Sequence, residues 1–130
     1  MATTARAWRE YPRRYRYEAA VCKKCGKWHF PPRLVCDACQ GREFETKAMQ
    51  RTGKILTHTI IRVPPKPFAD QAPYAVAVVE MDDGPRITTQ VVGWQPGQLA
   101  VGQRVKLEFR KIYSDGEAGC IHYGYKAVPV

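Results

Sequence analysis

Cys22-Lys23-Lys24-Cys25-Gly26 and Cys36-Asp37-Ala38-Cys39-Gln40-Gly41 form two cysteine pairs, each with two residues inside and ten residues between the pairs. Two intervening residues let one tight knuckle aim both sulfurs at a single ion. Gly26 and Gly41 follow the pairs, where backbone freedom is expected to help close each knuckle. Four thiolates from Cys22, Cys25, Cys36 and Cys39 suit a tetrahedral Zn²⁺ and leave no open coordination position, so the ion is expected to fold the module rather than do chemistry. Iron takes the same ligand set; a basic ribbon without a redox partner motif favours zinc. Two disulfides would need an oxidising compartment. The ribbon offers only Trp28, Phe30, Leu34, Val35 and Phe44 as a core. So small a core does not repay backbone ordering, whereas zinc contributes about 10–16 kcal/mol to folding in finger peptides. His29 reads as a surface or packing histidine.

The chain of 130 residues carries a net charge of +9, and the excess is uneven: residues 1–52 hold 12 basic and 5 acidic side chains. A basic surface suits RNA, an acidic protein or a phosphorylated cofactor, and charge alone does not choose among them. No run approaches the ~20 apolar residues of a membrane helix. The N-terminus lacks the apolar core of a signal peptide, so a cytoplasmic protein is expected.

Composition changes near Arg51-Thr52-Gly53. The expected organisation is an N-terminal helical arm (1–20), a zinc ribbon (21–52) and a β domain (53–130). In the arm, Thr4 is a candidate cap of a short helix through Tyr11. Pro12 is expected to break that helix or begin a second one. Trp8, Tyr11 and Tyr15 share a face if the phase survives the proline. That face suits either packing on the chain's own domains or docking on a partner protein.

Downstream, strands are expected at 54–63, 74–81, 86–92, 104–111 and 120–128. Ile55, Thr57, Thr59, Ile61 and Val63 share a face of the first; Val105, Leu107 and Phe109 face inward in the fourth. Leu99 and Val101 are expected to plug the core between strands. Turns are read at Asp82-Asp83-Gly84-Pro85, Gln95-Pro96-Gly97-Gln98 and Ser114-Asp115-Gly116. Five strands without an intervening helix fit a closed barrel, which removes exposed edges. The OB-fold is the common five-stranded solution, with an SH3-like barrel or small sandwich as competitors. The class read from the residues is mainly β, with a helical arm and a zinc ribbon ahead of a five-stranded barrel; period and strand count alone do not separate the barrel types.

The stretch Cys22-x-x-Cys25-Gly26-x-x-x-Phe30-Pro31-Pro32-Arg33-x-x-Cys36-x-x-Cys39 is more specific than a generic ribbon. With Tyr15-Arg16-Tyr17 before it and Ala72-Pro73-Tyr74-Ala75-Val76-Ala77-Val78-Val79-Glu80 after it, it resembles a family of acyl-CoA-associated accessory proteins, the domain of unknown function 35 type. In that family a rubredoxin-like zinc ribbon precedes an OB-fold and the protein partners thiolase-superfamily enzymes. The resemblance implies a non-catalytic scaffold subunit. Its favoured setting is an archaeal acetoacetyl-CoA thiolase with hydroxymethylglutaryl-CoA synthase, in the mevalonate pathway, where the small protein bridges subunits and helps bind CoA or acyl-CoA. A subunit of an acyl-CoA aldolase or hydratase is the alternative within the family. Candidate CoA or docking contacts are Arg33, Lys66 and Tyr74; the stiff Pro64-Pro65-Lys66-Pro67-Phe68 loop suits a docking edge.

Outside the family, a single-stranded nucleic-acid module would use Tyr113, Tyr123 and Tyr125 as stacking platforms, but the barrel half carries little of the positive charge. An enzyme on its own is not expected. Glu80, Asp82 and Asp83 read as a hairpin tip, and no nucleophile, base and orienting group converge by a recognisable motif. Cys120 reads as a small buried hydrophobe in the last strand; with His122 on the same face it forms a pair without a motif.

Overall fold

The computed structural model describes residues 4–114 and 116–130. The side chain of Thr4, the candidate cap, and the turn position of Asp115 lie outside what is described. The elements in chain order are α1 (Thr4–Arg16), β1 (Glu18–Cys22), β2 (Trp28–His29), β3 (Phe44–Ala48), β4 (Thr52–Ile61), β5 (Tyr74–Met81), β6 (Arg86–Val91), β7 (Arg104–Ser114) and β8 (Ile121–Pro129). Strands β2-β1-β3 form a three-stranded antiparallel sheet; the others close into a barrel of order β4-β5-β6-β8-β7. A single parallel bridge, Val91 to Ala127, joins β6 and β8. The mainly β class with one helix, a cysteine-cluster ribbon and a closed five-stranded OB-type barrel agrees with the sequence reading.

Alternation fills the barrel as expected along β5, where Ala75, Ala77, Val79 and Met81 are buried, and along β7 at Val105 and Leu107. Two bulges break the pattern. In β4 the pairing passes from Ile55–Val79 to Thr57–Val78, so Leu56 is the extra residue. One added residue transfers every later side chain to the opposite face. Ile60 therefore packs on the core, Thr57 and Thr59 are exposed, and Val63 lies beyond the strand in solvent. The single face expected for 55–63 is thus two half-faces. In β7 the shift lies between Lys111 and Tyr113 and extends the strand to Ser114. Val101 is 71 % exposed and plugs nothing, whereas Leu99 does pack against the core.

Gly53 sits where β4 crosses closest to β5. A Cβ there would lie 2.6 Å from the Glu80 carbonyl oxygen and 2.9 Å from Val79 Cγ1. This glycine supplies space rather than an unusual φ.

Helix α1 runs unbroken through Pro12, contrary to the expected break. A mid-helix proline costs about 3 kcal/mol, and tertiary contacts on both sides of it offset that cost. Tyr11 Oη donates to the Ile121 carbonyl, and the Arg14 guanidinium donates to the Tyr123 carbonyl at 3.0 Å. The Tyr15 ring meets Phe109 edge-on at 5.3 Å. The helix is thereby fixed to the outside of β7 and β8.

The ribbon is not a separate core. Tyr17, Ala19, Phe30 and Met49 belong to one buried cluster with Ile55, Val79 and Leu107 of the barrel. Leu34 is 89 % exposed and Val35 is exposed as well, so neither joins the ribbon core as expected. The first knuckle's Phe30 instead meets Tyr125 of β8 at 5.2 Å.

The hairpin tip after β5 is a strap as well as a turn. Asp82 accepts two hydrogen bonds from Arg104, at 2.9 and 2.8 Å, and one from the Thr52 hydroxyl. It thus ties the ends of β4, β5 and β7. The Arg104 bonds first, then Thr52, hold the Asp82 carboxyl at about 2, below its ordinary 3.8. A depressed pKa contributes stability above the unfolded value and loses it as pH falls through the folded one. Asp82→Asn is expected to lower stability at neutral pH by a modest amount, since the pair is partly solvated. That deficit should shrink as pH drops from 3.8 toward 2, read from urea midpoints of both proteins across that window.

Candidate metal centre and adjoining surfaces

The two knuckles share one hydrogen-bond pattern. In the first, Gly26 N donates to Cys22 O at 2.8 Å and Cys22 N to Lys27 O at 2.9 Å. In the second, Gln40 N donates to Cys36 O at 2.9 Å and Cys36 N to Gly41 O at 2.8 Å. The residue after each pair takes a left-handed backbone, φ 77° at Gly26 and φ 60° at Gln40. The freedom expected of Gly41 is therefore exercised by Gln40, a residue that tolerates it at some cost. Gly41 matters for another reason: a Cβ there would stand 3.3 Å from the sulfurs of both Cys22 and Cys39.

These turns bring all four Sγ atoms within 4.8 Å of one another. Cys22 and Cys39 sulfurs are 3.4 Å apart, and those of Cys25 and Cys36 are 3.5 Å apart. Zn–S bonds of about 2.3 Å in a tetrahedron put sulfurs about 3.8 Å apart, so the donor set fits a single zinc with slight expansion. The backbone prepares the charge. The Cys25 N–H, followed by that of Lys24, draws the Cys22 thiol down to about 6 against the cost of burial. The Cys39 N–H, then that of Ala38, draws Cys36 to about 7. Four adjacent thiols cannot all ionise unaided: the Lys27 N–H favours the Cys25 thiolate, yet burial and the neighbouring thiols push it up to about 12. A dication removes that conflict. The site is therefore a cysteine cluster of the structural zinc type, with no position left open for a substrate.

His29 was read as a packing histidine, and it is buried with its ring edge-on to Phe44. It also places Nε2 3.4 Å from Cys36 Sγ. As an N–H donor it spreads thiolate charge and orients the sulfur. A buried imidazole seven residues before a ligand carries no sequence signal for this contact.

The three candidate CoA or docking residues do not meet in one cavity. Arg33 is exposed on the rim of a pocket of about 470 Å³ between ribbon and barrel, with Lys27, Trp28, Asp37 and Arg86. Tyr74 is buried against Phe68 and lines a second pocket, of about 500 Å³, with Tyr113, His122 and Arg14. Lys66 is exposed in the short 3-10 turn Lys66–Phe68.

The tyrosines proposed as nucleic-acid platforms are largely used internally. Tyr113 stacks on His122 at 4.5 Å, Tyr123 on Phe109 at 5.7 Å, and Tyr125 tilts against Phe30 and Tyr17. Cys120 precedes β8 rather than lying in it and is half-buried. His122 stacks on Tyr113. Outside these features, Trp8, Tyr11, Pro12, Tyr15, Phe109 and Tyr123 line an apolar groove of about 460 Å³. Trp8 is 74 % and Tyr15 60 % exposed. Among the described residues no helix is long and apolar enough to cross a membrane.

Residues 9–45 match the model described as the ChsH2 rubredoxin-like zinc ribbon domain, and residues 46–110 match that of the ChsH2 C-terminal OB-fold domain. The chain is 40 % identical, over 96 % of its length and 89 % of the relative's, to a DUF35 domain-containing scaffold protein of Methanocaldococcus jannaschii. It is 32 % identical to the benzoylsuccinyl-CoA thiolase subunit BbsA of Thauera aromatica, over 66 % of this chain and 58 % of that subunit. A solved structure of an Ltp2-ChsH2(DUF35) aldolase superposes with a TM-score of 0.73 at 28 % identity, covering 94 % of this chain and 91 % of the other. That last likeness overturns the expectation of a subunit without a part in catalysis, because the similar chain belongs to an aldolase.

Cys22→Ser is expected to lose the bound metal and open the 21–45 segment to protease. Metal analysis with limited proteolysis checks this; an intact metal-free ribbon would contradict the centre.

Proposed function

We propose that this chain, which belongs to the family of ChsH2-type proteins joining a rubredoxin-like zinc ribbon to an OB-fold domain, is the accessory subunit of an acyl-CoA enzyme complex. The partner in this reading is a thiolase-superfamily enzyme. The observation that carries the proposal is the open aromatic groove on α1, where Trp8 and Tyr15 stand in solvent on a helix otherwise fixed to the barrel. Large apolar side chains held rigid and exposed are what a protein interface uses as anchors, because little side-chain or helix ordering remains to be done on binding. The names of the relatives supply the class of partner: a scaffold protein, a subunit of an acyl-CoA thiolase and an aldolase complex.

The finer reading is an acetoacetyl-CoA thiolase held beside a hydroxymethylglutaryl-CoA synthase. It rests on the extent of likeness to the scaffold protein, which spans nearly the whole chain. The aldolase likeness supports the second setting, a subunit of an acyl-CoA aldolase. In either complex the zinc fixes the ribbon and does not contact substrate. Arg33 offers positive charge to CoA phosphates on a rim where Lys27 is paired with Asp37 at 2.6 Å and Arg86 with Glu80 at 3.2 Å. Lys66 and Tyr74 offer a charge and a ring beside the 66–68 turn.

Co-purification at native expression, with mass spectrometry of the partners, tests the assignment. The thiolase-type partner is expected with the wild-type chain and is expected to be lost from Trp8→Ala/Tyr15→Ala, while far-UV dichroism and zinc content stay unchanged. Retention of the partner by that variant would remove α1 from the interface. Arg33→Glu/Lys66→Glu is expected to weaken CoA binding by the assembled complex.

A further inference from the structure

Lys126 is the most deeply buried cation among the described residues, at 7 % exposure. It lies on β8 and lines a pocket of about 340 Å³ between the 67–71 segment and β7, together with Asp70, Gln71, Lys111, Tyr113 and Ser114. A buried ammonium needs a counter-charge or a full set of acceptors, and its three N–H bonds point in three directions. Among the described residues its one acceptor is Gln71 Oε1, at a long 3.4 Å.

That acceptor is shared, so at most one of its two lone pairs serves the ammonium's three N–H bonds. Gln90 Nε2 donates to the same oxygen at 3.0 Å, and Gln71 Nε2 donates to the Ile112 carbonyl at 3.0 Å, which locks the amide. Glu108 stands opposite Lys126 in the β7–β8 register, but its carboxylate lies 2.8 Å from Lys106 Nζ. No ion pair of Lys126 with a carboxylate exists among the described residues. Asp70 is the only acidic side chain on the lining among them and is exposed. The neighbourhood is otherwise positive: burial first, then Arg110, lowers the Lys126 pKa, and Lys111 lines the same pocket.

We propose that this pocket is a binding site for a phosphate-type oxyanion, with Lys126 as the buried charge at its base, Lys111 at its mouth and the Ser114 and Tyr113 hydroxyls as further donors. The volume admits a tetrahedral oxyanion and several waters at about 30 Å³ each. The bound ion supplies the counter-charge that the fold withholds. Charge-assisted bonds to a buried ammonium are among the stronger ones available. The site is distinct from the Arg33 rim and from the aromatic groove on α1, and it does not depend on the acyl-CoA reading. Its phosphate is either the free ion or a phosphate carried on a larger molecule such as CoA.

Amide shifts of the full-length, zinc-loaded chain, titrated with inorganic phosphate at constant ionic strength, test the site. Saturable shifts are expected at Gln71, Ile112 to Ser114 and Lys126, with a Kd of about 1 mM. Lys126→Met keeps the shape without the charge; it is expected to bind phosphate at least about tenfold more weakly and to melt at a higher temperature than the wild type without phosphate. Lys111→Gln, at an exposed position, is expected to weaken binding by about threefold and serves should Lys126→Met fail to fold. Shifts that rise linearly without saturating, or a Kd unchanged in both variants, would overturn the site. Titration with CoA separates the two sources. Tighter binding on the same residues assigns a carried phosphate, and equal or weaker binding on them assigns the free ion. CoA shifts confined to other residues, with no response to phosphate, would overturn this site and leave the acyl-CoA reading intact.

Discussion

The ribbon depends on four sulfurs sharing one charge. The knuckle hydrogen bonds aim the thiolates inward, and the same bonds make them repel when no cation lies between them. The centre therefore works as a conditional clamp. It fixes the ends of β1, whose last residue is Cys22, and of β2, which runs into Phe30. Tyr17 and Phe30 are carried by those strands into contact with Tyr125 of the barrel. Loss of the ion would thus be felt in the shared core as well as at the knuckles. That coupling explains why the ribbon manages with so few apolar residues of its own: Leu34 and Val35 are left outside because the barrel, not the ribbon, supplies the missing surface.

The barrel and the metal centre were legible because each rests on a short-range rule. Cysteine spacing reports a knuckle directly, and alternation reports a strand with one buried face. What escaped were places where one residue changes a relation between distant segments. The extra Leu56 reverses the inward face of β4, and nothing in its own identity marks it as a bulge. The symmetry of the knuckles put the left-handed residue at Gln40, while the eye is drawn to the neighbouring glycine. Gly53 is needed for a close approach of β4 to the β5 backbone that its own sequence neighbours do not mark. Asp82 looked like a solvated turn residue because Arg104 and Thr52, which it ties together, are far from it in sequence. The candidate CoA residues were chosen by type and by position next to prolines, and the fold distributes them over separate surfaces because neither criterion contains a distance.

Charge shows the same gap between composition and structure. The five arginines of α1 suggest a polyanion-binding arm. In the fold, Glu10 accepts ion pairs from Arg6, Arg13 and Arg14, at 3.3, 3.4 and 2.6 Å, and Arg16 pairs with Glu18 at 3.6 Å. Arg14 in addition holds the Tyr123 carbonyl. Much of the local excess is engaged in fixing the helix rather than offered to a ligand. Exposed pairs of this kind add little stability each; those on Glu10 lie within the helix, and it is the bonds of Tyr11 and Arg14 to β8 carbonyls that restrict how the helix can roll on the barrel.

That restriction bears on why a small chain would use an arm at all. A free 13-residue helix is marginal in water, and a partner that had to order it would lose affinity to the ordering cost. Here Tyr11 and Arg14, on either side of Pro12, bond to the Ile121 and Tyr123 carbonyls at the start of β8 and turn one face of the helix onto the barrel. Trp8 and Tyr15 are then displayed in a fixed geometry, joined edge-on through Tyr11 and Phe109 into a run of rings that ends with Tyr123 stacked on Phe109. The proline, which weakens the helix taken alone, tells against any function requiring the arm to fold by itself. It is compatible with one in which the barrel holds the helix beforehand and the partner meets a surface already formed.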